Sequence, residues 1–274
     1  MEKLTMLDYV KETPGVLRKN IEQYETLLEP LMKEVQGKEI KRILLVASGS
    51  SHNACYCARS FVEKVSGLEV RIITPYTFTY YENDIRETDL VLVVTQSGLS
   101  TNAIEALKII KKKQYRAICL TGNKNSDVKD YADAVIEYGV GEELVGYVTK
   151  GVSTLALFLD LFAVVYSGKV EYLEELKKAA DLNEEMIDKA TDFIQLHYKN
   201  LSSMSWVYSC GAGANYGTAL ESALKMGETI HIPSCCYEIE EYIHGPNLQL
   251  TPKYNVIFFD GNDVASHRVE QVYK

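Results

Sequence analysis

The sequence predicts an α/β protein of two similar lobes, each a parallel sheet flanked by helices. Short β-rich segments alternate with helical segments from residue 39 onward, and this alternation is typical of βαβ units. The same pattern starts again after a charged helical segment, with three predicted strands where the first lobe has five. We therefore expect a complete first lobe and a second lobe that is short and truncated.

The predicted elements divide the 274 residues into four segments. Residues 1–38 form a helical N-terminal segment, helical over 5–36, in which Pro14 is suited to a helix start. Residues 39–168 form the first lobe, 169–200 a helical linker and 201–274 the second lobe. The predicted strands of the first lobe are 43–47, 70–74, 90–95, 116–121 and 134–138. The second lobe has a strand at 206–210, a helix at 216–228, an extended segment at 232–236 and a strand at 255–260.

Composition and charge limit the functional classes to which this protein could belong. The net charge of −9 disfavours nonspecific binding to nucleic acid or to an anionic membrane. The longest apolar run, 153–166, is shorter than the roughly 20 residues of a membrane span and contains Asp160, so it predicts a buried core helix. The N-terminus has no pattern of a secretory signal, and the six cysteines form no CxxC pair. We expect a cytoplasmic protein with buried, reduced thiols and no metal site.

The first candidate site is the turn Ser48, Gly49, Ser50 and Ser51, which follows a strand and precedes a helix. A glycine permits a sharp turn, and backbone N–H groups at a helix start favour an anion such as phosphate. The alternative is that Ser50 or Ser51 only caps the helix, as serine often does. This turn alone does not decide between the two interpretations.

The second candidate is the segment 95–102, which again connects a strand to a helix. It has hydroxyl or amide side chains at nearly every position, including Thr95, Gln96, Ser97 and Ser100. Ligands of open α/β sheets collect at the carboxyl ends of the strands. A helix start needs one or two capping side chains, so four hydroxyls favour a bound oxyanion.

Two further motifs lie in the second lobe. Glu221, Lys225 and Glu228 share one helix face by their i, i+4 and i+7 spacing, which a surface ion pair would also produce. His244 precedes a Gly-Pro pair that would fix its loop, and a histidine near neutral pKa suits proton transfer. A glycine-rich segment beginning at Gly211 is a poor dinucleotide fingerprint, because its third glycine is one place late and no acidic residue ends the next strand.

Together these motifs resemble the sugar isomerase (SIS) domain family. The resemblance rests on SGSS at 48–51, TQSGLST at 95–101, ALESALKMGE at 219–228 and EEYIHGP at 240–246. It is most similar to the isomerase half of glucosamine-6-phosphate synthase, to fructosamine-6-phosphate deglycases and to aminosugar-phosphate isomerases. The resemblance implies that Ser51, Thr95, Gln96, Ser97 and Ser100 hold a sugar phosphate, with Ser48, Gly49 and Ser50 as neighbours in the first loop.

The resemblance also implies catalytic roles. Glu228 would move a proton between sugar carbons C1 and C2, and Lys225 would stabilise the developing oxyanion. Glu221 would orient Lys225, and His244 would open the sugar ring. No cofactor is required for proton transfer next to a carbonyl or imine. The partners implied are a sugar-phosphate substrate and a second copy of the chain, in a homodimer with the active site at or near the interface.

The expected activity is a cofactor-independent phosphosugar isomerase or deglycase that acts on a fructosamine 6-phosphate. The chain has no room for a glutaminase domain, so glutamine-dependent synthesis is not expected. It ends at Lys274 without the family's C-terminal tail, whose lysine can form an imine with the sugar. One alternative is a glucosamine-6-phosphate isomerase or deaminase. Another is a sugar-phosphate-binding regulator without catalysis.

Overall fold

The computed structural model describes residues 4–274, which form two compact units that divide between Glu184 and Glu185. Each unit contains a parallel sheet with helices, so the predicted α/β class is confirmed. The division lies inside the segment 169–200 that the sequence predicts as a linker. The two units are described separately below.

Two helices, rather than one, form the N-terminal segment: α1 (Met6–Glu22) and α2 (Tyr24–Val35). The prediction that Pro14 marks a helix start was wrong, because Pro14 lies buried inside α1. The helix begins earlier because the Thr5 hydroxyl and the Asp8 carboxylate form a reciprocal capping box. Gln23 separates the two helices.

The first unit is built on a five-stranded parallel sheet in the order β2-β1-β3-β4-β5. Its strands are β1 (Arg42–Ala47), β2 (Glu69–Ile73), β3 (Asp89–Thr95), β4 (Ile118–Thr121) and β5 (Ala134–Glu137). The helices between and after them are α3 (Gly49–Ser66), α4 (Pro75–Tyr80), α5 (Thr101–Lys112) and α6 (Lys150–Ser167). All six residues of β1 are buried, as expected for a central strand covered on both faces.

A buried ion pair joins the neighbouring strands β1 and β3. Arg42 and Asp89 are register partners on β1 and β3, and their side chains are 5% and 0% exposed. The guanidinium donates two hydrogen bonds to the carboxylate, at 2.9 and 2.6 Å. Removing one partner of such a buried pair leaves an unpaired charge and costs about 3–5 kcal/mol.

The apolar run 153–166 lies in α6, and the prediction of a core helix is confirmed. By length and composition alone α6 could cross a membrane, but 61% of it is buried within the protein. It packs against α3, with Phe158 and Phe162 fully buried. Burial of this kind is typical of a core helix.

The second unit has a three-stranded parallel sheet among the described residues, in the order β7-β6-β8. The long helix α7 (Leu173–Leu196), of which the residues from Glu185 onward belong to this unit, and the short α8 (Tyr198–Leu201) precede β6 (Trp206–Gly211). There follow α9 (Ala214–Lys225), β7 (Ser234–Glu238), α10 (Ile239–Ile243), β8 (Tyr254–Phe259) and α11 (Ser266–Tyr273). As in the first unit, the first strand lies between the next two strands.

Two predictions about this unit needed correction. The helix predicted over 216–228 ends as an α-helix at Lys225 and continues as a π-helical turn, Met226–Ile230. The expectation of buried thiols holds for Cys210 but not for Cys235, which is exposed, or for Cys236, which is only partly buried. Burial raises the pKa of the Cys210 thiol to about 12.

Candidate active site

The first candidate loop connects β1 to α3. Ser48 is the N-cap of α3 and the helix begins at Gly49, so Ser50 and Ser51 lie in its first turn. The interpretation that Ser50 or Ser51 only caps the helix was therefore wrong. Ser48 accepts no capping hydrogen bond among the described residues, and the first turn of α3 contains no acidic side chain. An uncapped, uncharged helix start of this kind favours a bound anion.

The second candidate loop connects β3 to α5 and is held by its own hydroxyls. The buried Thr95 Oγ1 donates to Ser100 Oγ at 3.1 Å, and Ser97 Oγ accepts from the Leu99 N–H at 3.2 Å. Ser100 is the N-cap of α5, and its side chain makes no capping hydrogen bond within residues 4–274. The backbone N–H groups at the start of α5 therefore remain available to a ligand.

A side-chain hydrogen bond joins the two loops. Asn102 Nδ2 donates to Ser48 Oγ at 3.3 Å. The contact is possible because β1 and β3 are neighbouring parallel strands, whose carboxyl ends lie at the same edge of the sheet. The structure thus brings together the two helix starts that the sequence predicts as a phosphate site.

Gly98 fixes the shape of the second loop. Its φ of +66° is in the left-handed region, and a Cβ at this position would lie 1.8 Å from Ser126 Oγ. The Gly98 carbonyl accepts a hydrogen bond from the Val128 N–H at 3.2 Å. Only glycine satisfies both the backbone angle and the close approach.

Both the side chain and the carbonyl of Gln96 make hydrogen bonds to other parts of the first unit, so the side chain is not free within the loop. Its carbonyl accepts from Thr121 Oγ1 at 3.2 Å and from the Gly122 N–H at 3.0 Å. Its side-chain Nε2 donates to Glu143 Oε1 at 2.9 Å, and its Oε1 accepts from Tyr138 Oη at 3.1 Å. The second Nε2 hydrogen has no partner among the residues that the structure describes, so it is the one through which Gln96 could contact a phosphate.

The acidic and basic residues of the second unit form a compact cluster. Lys225 Nζ lies 3.2 Å from Glu221 Oε1 and 2.6 Å from Glu228 Oε2. The side chains of Lys225 and Glu221 are 15% and 14% exposed, and that of Glu228 is 35% exposed. A solvated surface ion pair would be more exposed, so the alternative that the sequence left open is disfavoured.

The local backbone separates Glu228 from the regular helix. Lys225 ends α9, and Glu228 lies in the π-helical turn that follows. The Thr229 hydroxyl donates to the Lys225 carbonyl at 2.6 Å and so satisfies one carbonyl at the end of the helix. Single π-helical turns are rare and are frequently found at functional sites.

His244 lies apart from this cluster in the contacts that the structure gives. It is exposed and ends α10, where its backbone N–H donates to the Glu241 carbonyl at 3.3 Å. Arg268 lowers the pKa of the nearby Glu240, and His244 adds a smaller lowering. No hydrogen bond or ion pair within the described chain joins His244 to Glu221, Lys225 or Glu228. Its assignment to the same reaction stays a prediction.

The glycine-rich turn after β6 has a packing explanation. A Cβ on Gly211 would lie 2.2 Å from the Asn215 carbonyl oxygen, and Gly213 has a φ of +57°. Both glycines are required by the tight turn between β6 and α9. The turn therefore needs no dinucleotide to explain its glycines.

Comparison with known proteins identifies the first unit. Residues 38–165 match the family described as the SIS domain. The first unit contains an SIS domain. The two hydroxyl-rich loops, at 48–51 and 95–102, both lie within this SIS domain.

Relatives and solved structures extend the similarity beyond the SIS domain of the first unit. The chain is 30% identical over 217 residues to the glutamine-fructose-6-phosphate aminotransferase (isomerizing) of Caldanaerobacter subterraneus subsp. tengcongensis. This match covers 76% of the chain but only 36% of that relative, so the chain spans about a third of its length.

Two solved structures have the same fold over nearly the whole chain. A candidate phosphosugar isomerase from Clostridium difficile 630 superposes with a TM-score of 0.87 at 26% identity, over 98% of this chain and 79% of that one. The C-terminal domain of glucosamine-fructose-6-phosphate aminotransferase from Francisella tularensis gives 0.85 at 23% identity, over 99% and 80%. The fold of the chain outside residues 38–165 is thus shared with these two proteins.

The sequence prediction missed one residue that contacts the second loop. Glu143 lies 47 positions after Gln96 and accepts its side-chain hydrogen bond. The signal available was a pair of glutamates shortly before the apolar helix, where a carboxylate can accept N–H groups at a helix start. That signal indicates a cap, and it says nothing about the loop 47 residues earlier.

Proposed function

We propose that this chain is a phosphosugar isomerase that acts as a deglycase on a 6-phosphorylated ketosamine of the fructosamine 6-phosphate type. The observation that carries the proposal is the pair of uncapped helix starts joined by the Asn102–Ser48 hydrogen bond. The Glu221–Lys225–Glu228 cluster supports it, because acid–base groups of both signs lie within hydrogen-bond distance of each other.

Phosphate binding is assigned to the first unit. The hydroxyls of Ser51, Ser97 and Ser100 and the second N–H of Gln96 donate hydrogen bonds to the phosphate oxygens, and the starts of α3 and α5 add their positive dipole ends. Thr95, whose single hydroxyl hydrogen is donated to Ser100 Oγ, holds Ser100 in place. Ser48, Gly49 and Ser50 contribute the turn that exposes the α3 backbone. All these donors are uncharged.

Proton transfer is assigned to the second unit. His244 opens the sugar ring, and Glu228 removes a proton from C1 and returns it to C2 through an enolamine. Lys225 stabilises the oxygen that becomes negative, and Glu221 holds Lys225 in place. The resulting C1 imine reacts with water, which breaks the carbon–nitrogen bond and gives glucose 6-phosphate and the free amine. Neither a metal nor a redox cofactor enters this sequence of steps.

We also propose that the chain works in the cytoplasm as a homodimer with the active site at or near the subunit interface. The likeness to the family supports the dimer, since the histidine of its HGP motif often comes from the neighbouring subunit. Sedimentation equilibrium tests the dimer directly, and a monomer that retains full turnover would contradict it.

The test is a turnover assay with fructosamine 6-phosphates that follows the release of glucose 6-phosphate. Glu228→Gln should lower kcat at least about a hundredfold, because it removes the base, while hexose 6-phosphate binding stays nearly unchanged. The matched control is Glu270→Gln on α11, an exposed glutamate outside the cluster. Equal loss of turnover and binding in Glu228→Gln would contradict the assignment of the base.

The same assay separates the alternatives. Release of ammonia from glucosamine 6-phosphate, without release from fructosamine 6-phosphates, would favour the aminosugar-phosphate isomerase or deaminase. Micromolar binding of hexose 6-phosphate without turnover of either substrate would favour a non-catalytic regulator.

A further inference from the structure

The side chain of Gln96 is held in one orientation by two partners of opposite character. Its Nε2 donates to Glu143 Oε1 at 2.9 Å and its Oε1 accepts from Tyr138 Oη at 3.1 Å. An ionised carboxylate accepts hydrogen bonds and cannot donate them, so only the amide nitrogen can face Glu143. Glu143 therefore fixes the orientation of the Gln96 amide, with the nitrogen toward Glu143 and the oxygen toward Tyr138.

Two glycines leave the space that this orientation needs. A Cβ at Gly151 would lie 1.8 Å from Gln96 Oε1, and a Cβ at Gly122 would lie 3.3 Å from Gln96 Cγ. The Gln96 carbonyl is also fixed by Thr121 and Gly122, as described above. The amide is thus enclosed by backbone on two sides, and it can exchange its nitrogen and oxygen only if its partners change.

Glu143 is itself held firmly. Its Oε1 accepts from the Thr149 N–H and its Oε2 from the Lys150 N–H, both at 2.8 Å, at the start of α6. A negative charge at a helix start is favourable. The next residue is tied down as well, because the Leu144 N–H donates to Tyr9 Oη at 3.0 Å. The carboxylate thus links the α6 helix start to the second phosphate loop.

We propose that Glu143 is a positioning residue for phosphate binding: it holds the Gln96 amide so that the second Nε2 hydrogen is presented to the phosphate of the substrate. The inference rests on the phosphate-binding part of the proposed function. Glu143 itself touches no substrate atom and acts through Gln96.

The test compares Glu143→Leu with Glu142→Leu. Leucine at 143 has no acceptor, so the Gln96 Nε2 hydrogen that points to Glu143 loses its partner and the orientation of the Gln96 amide is no longer fixed. In Glu143→Gln the side-chain oxygen can still occupy the position of Oε1, which accepts from both Gln96 Nε2 and the Thr149 N–H, so this variant should retain the orientation. Glu142 is exposed and adjacent, and its substitution changes the net charge equally.

We expect Glu143→Leu to weaken the binding of inorganic phosphate and of fructose 6-phosphate roughly ten- to hundredfold, measured by calorimetry. KM for the phosphosugar should rise by the same factor, with kcat within about threefold of the wild type. Glu142→Leu should leave both constants unchanged. Glu143→Gln retains an oxygen that accepts from Gln96, so it should recover most of the lost affinity.

A double-mutant cycle with Gln96→Ala separates positioning from a general loss of structure. If Glu143 acts through Gln96, adding Glu143→Leu to Gln96→Ala should weaken phosphate binding by less than about twofold. A full additional loss on that background would overturn the proposal. Should Glu143→Leu fail to fold, as judged by thermal unfolding, the cycle with Glu143→Ala provides the same comparison.

The outcomes also distinguish this inference from the proposed function. A wild-type protein that binds inorganic phosphate but turns over no phosphosugar would overturn the proposed function, and the affinity ratios of the variants would still decide the role of Glu143. A wild-type protein that binds neither inorganic phosphate nor fructose 6-phosphate would overturn both.

Discussion

At the scale of single residues, the candidate phosphate site depends on neutral groups held at fixed positions. Thr95 and Ser100 are tied to each other, and Asn102 is tied to Ser48. These contacts hold the two loops in shape before a ligand arrives, which lowers the conformational entropy that binding would cost. The residue least open to substitution in this arrangement is Gly98.

Gly98→Ala should weaken hexose 6-phosphate binding at least about tenfold. The added Cβ would overlap Ser126 Oγ, and the backbone angle would be strained, a cost of about 1–3 kcal/mol. Calorimetric titration measures the affinity. The control is Gly146→Ala, because nothing lies within 4 Å of a Cβ at Gly146 and its φ is not in the left-handed region. Equal affinities for the two variants would show that the loop adapts.

At the scale of elements, α6 is an apolar core helix that also contains one acidic residue, Asp160. The Asp160 residue is partly exposed, but its Oδ1 is sealed from solvent and has no hydrogen-bond partner in the described chain. Burial raises the pKa of the Asp160 carboxyl well above its ordinary value. The folded protein therefore holds this proton to a higher pH than the unfolded chain does.

The sign of the pH dependence follows. Because the native state binds the additional proton, the free energy of unfolding should fall as pH rises from the unfolded pKa of about 3.9 up to the raised pKa. Asp160→Asn removes this dependence and should stabilise the protein at pH 7. Urea unfolding from pH 5 to 8 tests it, with Asp188→Asn on the exposed side of α7 as the control. Parallel curves for wild type and Asp160→Asn would contradict the prediction.

The elements themselves were largely predictable from the sequence. The strands around Leu92 and Leu44 are continuous apolar runs because they are buried on both faces, and that pattern is local. The break at Gln23 and the π-helical turn at Met226–Ile230 were not predicted. No proline or glycine lies next to Gln23, and the single Gly227 does not by itself indicate a change of helix type. These features depend on packing of the surrounding chain.

The candidate site was predictable to the same degree. The two loops could be placed together because the ends of neighbouring parallel strands meet at one edge of the sheet. The inward direction of Gln96 could not, because Glu143 and Tyr138 are more than 40 residues away in sequence. Periodicity and spacing describe neighbours along the chain, whereas this network is formed by the tertiary fold.

At the scale of the whole molecule, the net charge of −9 opposes the approach of an anionic substrate. Neither 48–51 nor 95–102 contains a lysine or arginine, so the two loops attract the phosphate through hydroxyl, amide and helix dipoles. Attraction by neutral donors acts at short range, so it is nearly independent of dissolved salt. The repulsion acts at long range and is screened.

Raising the ionic strength from about 0.01 M to about 0.15 M should therefore leave the affinity for fructose 6-phosphate unchanged or raise it by up to about threefold. Calorimetry in sodium chloride measures this, with uncharged fructose as the reference ligand. A steep fall in affinity with salt would show that a lysine or arginine from elsewhere in the protein holds the phosphate.

Neither loop contains an ionisable side chain, and this affects how the affinity for the phosphate depends on pH. The hydroxyl groups of Ser51, Thr95, Ser97 and Ser100 keep their protons throughout the physiological range. A phosphate monoester, by contrast, gains its second negative charge near pH 6. Dipoles attract a doubly charged group more strongly than a singly charged one, so affinity should follow the ionisation of the ligand, and mild acidification would release the substrate without any change in the protein.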